Sequence, residues 1–280
     1  MFHMEAFRSS LASGVTDVFQ QVTFFTTGAQ LAPLNNGMQA SYQLPFLHSL
    51  FGLSANLENI RPQANSWLPT PFPDLSPNNI GTAVESPARF WDFSRNPKPL
   101  RPTEEFDIFA SQTSGGAQTV TVFVNFSDGR LIPHPPLAAS PTINGVGQLT
   151  TLHGTAATTL TANAWSAVTP NINQSFPAGY YALVGVRVMS ATARAFRVKP
   201  INEPLWRPGG VAVQTADQLD PPGQRFINPV TGLISHWGTW LTFFQNTPPN
   251  IDIFATSADT VEDVFLDVIK ISDAVTAGAL

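Results

Sequence analysis

Alternation of apolar and polar residues is the main hydropathy pattern of this chain, and it predicts short β-strands. The clearest case is residues 119–126, where Val120, Val122, Val124 and Phe126 share one face that would pack on a core. β-branched and aromatic residues between turn residues predict further strands at 21–27, 41–48, 50–60, 90–93, 148–152, 157–168, 179–190, 193–199, 236–244 and 251–256. Many short strands with long irregular connections are typical of antiparallel sandwiches.

The N-terminal residues 4–20 follow a different period. Phe7, Leu11, Val15 and Val18 are spaced by four, four and three positions, which predicts one stripe of a short amphipathic helix. This helix or arm would pack on its own domain, on a neighbouring subunit or on a membrane surface. Its polar face carries little basic charge, so strong attraction to anionic lipid is not indicated.

An internal repeat with an offset of 145 residues relates the two halves of the chain. Residues 106–111 (FDIFAS) return as 251–256 (IDIFAT), and residues 123–128 (FVNFSD) return without a gap as 268–273 (VIKISD). The identical pairs are Asp107/Asp252, Ile108/Ile253, Phe109/Phe254, Ala110/Ala255, Ser127/Ser272 and Asp128/Asp273. The chain therefore reads as two copies of one fold.

The repeat also decides an ambiguous segment near the C-terminus. Val261, Val264, Phe265 and Val268 fit a helical stripe with acidic residues between them. Because the repeat aligns this segment with the alternating stretch 119–126, we predict a strand at 263–271.

A looser match accompanies the repeat. Ile60-Arg-Pro62, followed by Trp67, resembles Val198-Lys-Pro200, followed by Trp206. Each tryptophan lies within a long predicted loop that contains prolines, 61–88 or 200–230. Each tryptophan would either anchor that loop or cap the core of its own sandwich.

These patterns predict an all-β protein with two tandem sandwiches. The domains are an N-terminal helix or arm at 1–20, a first sandwich at 21–130, a proline-rich linker at 131–147 and a second sandwich at 148–280. Each sandwich is the size of an ordinary domain with its own core.

Composition points to a protein covered by neighbours. Charged residues make up only 12% of the chain, while it contains 21 phenylalanines and 25 prolines, and interface cores are depleted in charge and enriched in aromatic residues. The net charge of −5 argues against direct nucleic-acid binding. There is no cysteine, and we expect neither a secretory signal nor a membrane-spanning segment.

Candidate chemistry is sparse, and we predict no catalytic, cofactor-binding or metal-binding residue. The five histidines (His3, His48, His134, His153 and His236) form no metal-type pair, and no nucleophile or phosphate-binding motif is present. Two acidic clusters could supply paired carboxylates for glycoside hydrolysis or oxygen ligands for a structural calcium ion: Glu104, Glu105 and Asp107, and Asp259, Glu262, Asp263 and Asp267. Duplication of Asp107 as Asp252 favours a strand-end or turn role instead.

The basic residues are concentrated in one region. Arg89, Arg95, Lys98 and Arg101 are interleaved with aromatic residues, namely Phe90, Trp91 and Phe93. Basic residues between aromatic ones superficially resemble a single-stranded nucleic-acid site. The prolines that interrupt this region and the net negative charge of the whole chain favour a solvated loop, or salt bridges to a neighbouring subunit, over a nucleic-acid site.

Two tandem sandwiches, a short N-terminal helix, few charges and long proline-rich loops resemble the double jelly-roll major capsid proteins of tailless icosahedral viruses with an internal membrane, the lineage that includes the adenovirus hexon. The resemblance implies two eight-stranded jelly rolls and no catalytic residues. It further implies a homotrimer that forms a pseudo-hexameric capsomer and assembles, in the host cytoplasm, into the virion shell of a bacteriophage or related virus. Implied partners are neighbouring capsomers, minor capsid or vertex proteins, and the internal membrane through residues 4–20.

Two alternatives belong to other classes. A carbohydrate- or receptor-binding sandwich, such as a viral spike or a lectin, predicts exposed aromatic platforms and no tiling. A glycosidase predicts a cleft with two acids about 5–9 Å apart.

Overall fold

The computed structural model describes residues 2–12, 18–22, 48–55, 59–67, 89–93, 97–112, 116–127, 147, 149–200, 206–214 and 240–273. These residues form strands and one three-residue 3-10 turn (Asn65–Trp67), with no α-helix among them. The predicted all-β class is therefore confirmed. The chain divides into two compact units, Met1–Arg130 with Pro208–Gly210, and Leu131–Arg207 with Val211–Leu280. The predicted linker lies outside the described residues except for Gly147.

Two antiparallel sheets make up the first unit. Its described strands are β1 (Phe2–Leu11), β2 (Gln20–Gln21), β3 (His48–Ala55), β4 (Asn59–Ala64), β5 (Arg89–Asp92), β6 (Lys98–Leu100), β7 (Phe106–Ser111) and β8 (Gln118–Ser127). One sheet has the order β1-β8-β3-β5, with β6 also paired to β3, and the other has the order β2-β7-β4. The predicted strands at 90–93 and 119–126 are confirmed as β5 and β8.

The remaining strands follow the same plan. They are β9 (Leu149–Leu160), β10 (Ala164–Val168), β11 (Asn171–Ile172), β12 (Gly179–Met189), β13 (Ala193–Val198), β14 (Arg207–Gly210), β15 (Ala212–Gln214), β16 (Leu241–Phe244), β17 (Ile251–Ala255) and β18 (Asp259–Asp273). One sheet has the order β11-β9-β18-β12-β15, with β16 also paired to β12, and the other has the order β10-β17-β13-β14. Most neighbours are antiparallel, but β15 runs parallel to β12.

The repeated segments occupy matching places in the two units. β7 lies between β2 and β4, and β17 lies between β10 and β13. β8 lies between β1 and β3, and β18 lies between β9 and β12. The strand predicted at 263–271 is confirmed, because β18 pairs along most of its length with both β9 and β12. Pairing on both sides overrides the helical spacing of its valines.

A core of aromatic and aliphatic side chains fills the first unit. Phe106 of β7 packs edge-on against Trp67 at 6.0 Å and against Phe126 of β8 at 5.2 Å between ring centroids. Trp67 is 8% exposed, and its indole nitrogen donates to the carbonyl of Pro99 at 2.7 Å. Trp67 therefore belongs to the core of its own unit, and residues 68–88 of the loop that it was predicted to anchor lie outside the described residues.

The predicted N-terminal helix is wrong for residues 4–11, which belong to strand β1. This strand pairs antiparallel with β8 over all ten of its residues. Met4 and Leu11 are both 1% exposed, whereas Val18 of the supposed stripe is 53% exposed. Local spacing is a weak prior, and tertiary pairing that buries residues on both faces of β1 overrides it. Val15 lies outside the described residues.

Strand β9 is also longer than predicted. The sequence placed a break at 153–156, around Gly154, but the strand continues through it. A Cβ atom at Gly154 would lie 2.7 Å from the Cβ of Pro170. This glycine therefore permits a close approach within a strand. The chain turns later, at Asn163, which has a positive φ of 53°.

The looser sequence match is four residues out of the structural register. Gln63 lies opposite Asp107 in β7, and Arg197 lies opposite Asp252, the repeat counterpart of Asp107. The sequence match instead set Arg61 against Lys199. The structural equivalent of Arg197 is thus Gln63, and the two units differ at this position.

Candidate interaction surfaces

The sheet that contains β10, β17 and β13 of the second unit has one face in the core and one outside it. Ile251 and Ile253 of β17 are fully buried in the core, and Asp252 and Phe254 point to the opposite face because successive side chains of a strand alternate. Phe254 is nevertheless 0% exposed. Trp165, its cross-strand neighbour on β10, packs on it with ring centroids 5.4 Å apart.

Arg197 of β13 is the centre of this outer face. Its guanidinium carbon lies 4.7 Å from the ring centroid of Trp165 and 4.0 Å from that of Trp206. Its Nε and Nη2 both donate to Oδ2 of Asp252 at 2.8 Å. The side chains of Arg197 and Asp252 are 12% and 16% exposed. Cation–π and ion-pair contacts are strengthened by such partial burial. We name Trp165, Arg197, Trp206 and Asp252 the tryptophan–arginine cluster.

A cavity of about 380 Å³ adjoins this cluster. Trp206, Pro248 and Pro249 contribute apolar wall, together with core residues of β16. Its polar lining consists of Lys199, Thr242, Thr247, Asn250 and Asp252. The cavity therefore combines one aromatic ring with a cation, a carboxylate, an amide and hydroxyls.

A second polar surface crosses the other sheet of this unit. On one side of it, Nε2 of His153 and Oδ1 of Asp263 are 2.5 Å apart, and the His153 ring stacks on Phe265 with centroids 4.9 Å apart. The guanidinium of Arg187 lies 5.3 Å from the same Phe265 ring. Because these residues project from neighbouring strands β9, β18 and β12, they form a continuous row, which we name the charged ladder.

The other end of the charged ladder is more deeply buried. Arg187 donates to Asp267 at 2.9 Å, and Thr151 donates to the same carboxylate oxygen at 2.6 Å. The side chain of Asp267 is only 2% exposed, whereas that of His153 is 43% exposed. One end of the row is thus a buried ion pair and the other end is open to solvent.

Two further acids are held by hydrogen bonds at turns. Burial raises the pKa of Asp259, but donors from Ser190 at 2.6 Å and the Thr260 backbone at 2.8 Å outweigh it and hold that pKa below its usual value. Burial likewise raises the pKa of Glu104, but the backbone N–H groups of Arg101 and Ser66 donate to this carboxylate, outweigh that rise and hold the pKa below its usual value. Both carboxylates stabilise the turns that they bridge.

The pKa of Asp107 is shifted in the opposite direction from those of Asp259 and Glu104. Burial raises its pKa, the hydrogen bond from Gln21 at 2.8 Å opposes that rise, and the nearby charge of Glu105 adds to it. The net pKa lies above its usual value. The charge of this carboxylate is therefore poorly compensated by its surroundings.

The acids flagged in the sequence do not converge on one site. Asp259, Asp263 and Asp267 each have a different partner, and Glu262 is exposed. In the described part of the chain, no group of three histidine or acidic side chains is placed to hold a metal ion. The geometry thus offers no support for paired catalytic carboxylates among these residues.

The basic and histidine candidates are dispersed as well. Arg89, Phe90 and Trp91 lie in β5 and Lys98 in β6; Phe93 packs on the first core; and the backbone of Arg101 binds Glu104. His3 and His48 lie in β1 and β3, whereas Arg95, Asp128, His134 and His236 lie outside the described residues. The described side chain of His153 lies on a polar surface, the charged ladder.

Sequence reasoning missed Trp165, Arg187 and Arg197. A signal was present, because the repeat marks Asp252 as a counterpart of Asp107 on an outer face, where a charged group needs a cross-strand partner. Identifying that partner requires the strand pairing, which comes from the structure.

No protein-family model matches the chain, and no curated protein matches it significantly. In the residues that the structure describes, no helix is long and apolar enough to cross a membrane.

Proposed function

We propose that this protein is a major capsid protein, in which two jelly rolls form one subunit of a trimeric, pseudo-hexameric capsomer of an icosahedral virus. The observation that carries the proposal is the order of strands in the two units. The remaining features support it more weakly.

A jelly roll arises when a long antiparallel ribbon wraps into two facing sheets. In one sheet the first strand then lies beside the last, and the last beside the third. In the other sheet the second strand lies beside the seventh, and the seventh beside the fourth. The described strands of the first unit have these neighbours, as β1-β8-β3 and β2-β7-β4.

The second unit has the same neighbours, once two short additional strands, β11 and β15, are set aside. Its orders are β9-β18-β12 and β10-β17-β13. In addition, β6 pairs with β3, and β16 pairs with β12. In a jelly roll this position beside the third strand belongs to the sixth strand. Two copies of this order in one chain favour a double jelly roll over other sandwiches.

The surface chemistry fits a subunit with neighbours. Interface cores are enriched in tryptophan, phenylalanine and arginine, and the tryptophan–arginine cluster contributes Trp165, Trp206 and Arg197, while the charged ladder contributes Phe265 and Arg187. With charged residues at only 12%, the chain has few groups to keep an isolated monomer soluble. A closed trimer would cover part of this surface, and because its symmetry closes the ring of contacts, it would not extend into an open filament.

The N-terminal residues enter the proposal differently from the sequence expectation. Residues 2–11 form a strand inside the first unit rather than a free helix. We therefore assign partner contacts to neighbouring copies and to minor capsid proteins, and assign no membrane contact to strand β1.

The test is the mass and outline of the purified full-length chain. Light scattering should give about three times 30.2 kDa, and negative-stain class averages should show a hexagonal outline from three double units. A monomer at micromolar concentration would overturn the proposal. A trimer with a three-lobed outline and no lateral assembly would favour the spike or lectin alternative instead.

A further inference from the structure

The cavity beside the tryptophan–arginine cluster has the chemistry of a ligand site rather than of a packing defect. Packing voids are small and apolar. This cavity of about 380 Å³ is lined by an ammonium, a carboxylate, an amide and two hydroxyls in addition to Trp206. We propose that it binds an acidic saccharide, a hexuronate unit or a similar sugar acid. This inference rests on the cavity itself and does not depend on the capsid assignment.

Several polar groups of the lining have hydrogen-bonding capacity left over. Both contacts from Arg197 to Asp252 go to Oδ2, so Oδ1 remains available as an acceptor. Asn250 accepts from Thr169 through Oδ1 at 3.0 Å, and its amide nitrogen remains a donor. The side chains of Thr242 and Asn250 are exposed. A free carboxylate oxygen beside a free amide donor suits the vicinal hydroxyls of a sugar, which both donate and accept.

Trp206 supplies the apolar contact that a saccharide requires. The faces of a pyranose ring carry C–H groups, and these pack on aromatic side chains. Arg197 packs 4.0 Å from the centroid of this indole and holds it in place. A ring fixed in this way loses little conformational entropy when a ligand binds.

The balance of charge selects an acidic sugar over a neutral one. Arg197 and Asp252 form an ion pair and cancel each other. The ammonium of Lys199 lies 5.8 Å from the Trp206 ring centroid, and it has no carboxylate partner among the described residues. An exposed lysine beside a cavity, with no counter-ion in the part of the chain that the structure describes, is placed to bind a carboxylate of the ligand.

The experiment is calorimetric titration of the full-length protein with a trimer of galacturonate and with its carboxyl-reduced form, which differs only in the carboxylates. We expect the galacturonate trimer to bind at least tenfold more tightly than the reduced form. Equal affinity for the two, or no heat with either, would overturn the proposal. Sodium acetate serves as the third probe, and full competition by acetate at millimolar concentration would also overturn it, because a bare anion site would then suffice.

Two substitutions assign the binding to this cavity. Lys199→Gln should lower the affinity for the galacturonate trimer by about tenfold and leave the weak affinity for the reduced form unchanged. The reason is that an exposed charge–charge contact in binding is worth roughly 1 kcal/mol or slightly more. Thr242→Val should lower the affinity for both the galacturonate trimer and its reduced form by a few-fold. Thr159→Val, at an exposed position of β9 that does not line the cavity, is the matched control and should change neither. Unchanged binding in Lys199→Gln with an unchanged melting temperature would contradict the assignment.

Discussion

Asp107 and Asp252 hold the same place in the two units, and their surroundings differ in charge. Each is the second residue of a strand that has a neighbour on both sides in the smaller sheet. Each also faces a residue across the ladder, Gln63 for Asp107 and Arg197 for Asp252. Asp107 is bound by the neutral amide of Gln21, and its pKa is raised. Asp252 is bound by a guanidinium. The repeat conserves the carboxylate within the chain, and the neighbouring strands decide what that carboxylate does.

The two tryptophans of the looser match differ in the same manner. Trp67 lies in the core of the first unit, against Phe106. Trp206 is half-buried on the outer face of the second unit, against Arg197. A similar sequence context thus produced one core residue and one surface residue. In the first unit this region serves stability, and in the second it forms a surface with a cavity.

The largest expected effect comes from removing each tryptophan. Trp67→Ala should lower the free energy of unfolding of the first unit by about 4 kcal/mol, because it leaves a large cavity in a packed core. Trp206→Ala should cost the second unit about 1 kcal/mol, mainly through loss of its contact with Arg197. Urea unfolding followed by circular dichroism measures both losses, and hydrogen exchange assigns each loss to a unit. Equal losses would mean that the two tryptophans play the same role after all.

A smaller and more diagnostic effect comes from neutralising the paired acids. Asp252→Asn should destabilise the second unit by about 2 kcal/mol at pH 7, because it removes the carboxylate charge that the largely buried guanidinium of Arg197 binds. Asp107→Asn should leave the stability of the first unit unchanged or raise it, because the amide can still accept from Gln21 and the charge is no longer buried.

A double-mutant cycle isolates the pair in the second unit. Arg197→Met and Asp252→Asn should be strongly non-additive, since each removes the same ion pair. Gln63→Met and Asp107→Asn provide the matched cycle in the first unit and should be nearly additive. A large coupling energy in the first unit would contradict the distinction drawn between the two sites.

The smallest expected effect is a difference in pH dependence. A folded-state pKa of Asp107 above its unfolded value means that its stabilising contribution is full below the unfolded pKa and is lost as pH rises through the folded pKa. The gain from Asp107→Asn should therefore be absent near pH 3 and develop between about pH 4 and pH 6.

Asp259 gives the control with the opposite sign. Its pKa is lowered, so its contribution is present above the unfolded pKa and is lost as pH falls through the folded one. Asp259→Asn should thus cost stability at neutral pH and cost less in acid. Unfolding midpoints measured across this pH range test both signs, and parallel profiles for the two variants would refute the assignment.

Much of the strand content could be predicted from the sequence. The alternation of Val120, Val122, Val124 and Phe126 is found as a buried face of β8, with each of these side chains 0% exposed. The repeat correctly aligned β17 with β7. It also correctly predicted a strand, β18, for the segment whose valines have helical spacing. Local alternation and internal similarity were sufficient here because these strands lie inside sheets whose faces are buried.

The failures share one cause. Residues 4–11 have helical spacing, yet they form β1 because β8 offers a partner along its whole length. The glycine in β9 looked like a break, yet it accommodates Pro170. Periodicity within a segment contains no information about the partner strand, and the partner decides these cases.

By itself the sequence determined that the chain is all-β, that it carries two related halves, and that two aspartates of the first half, Asp107 and Asp128, recur in the second. These are properties of local alternation and of self-similarity, which short stretches of residues contain in full. Only the tertiary structure decided that Arg197 meets Asp252 between two tryptophans, that His153 meets Asp263, and that a cavity opens beside Lys199. Those contacts join residues from different strands, and their register is set by the packing of whole sheets.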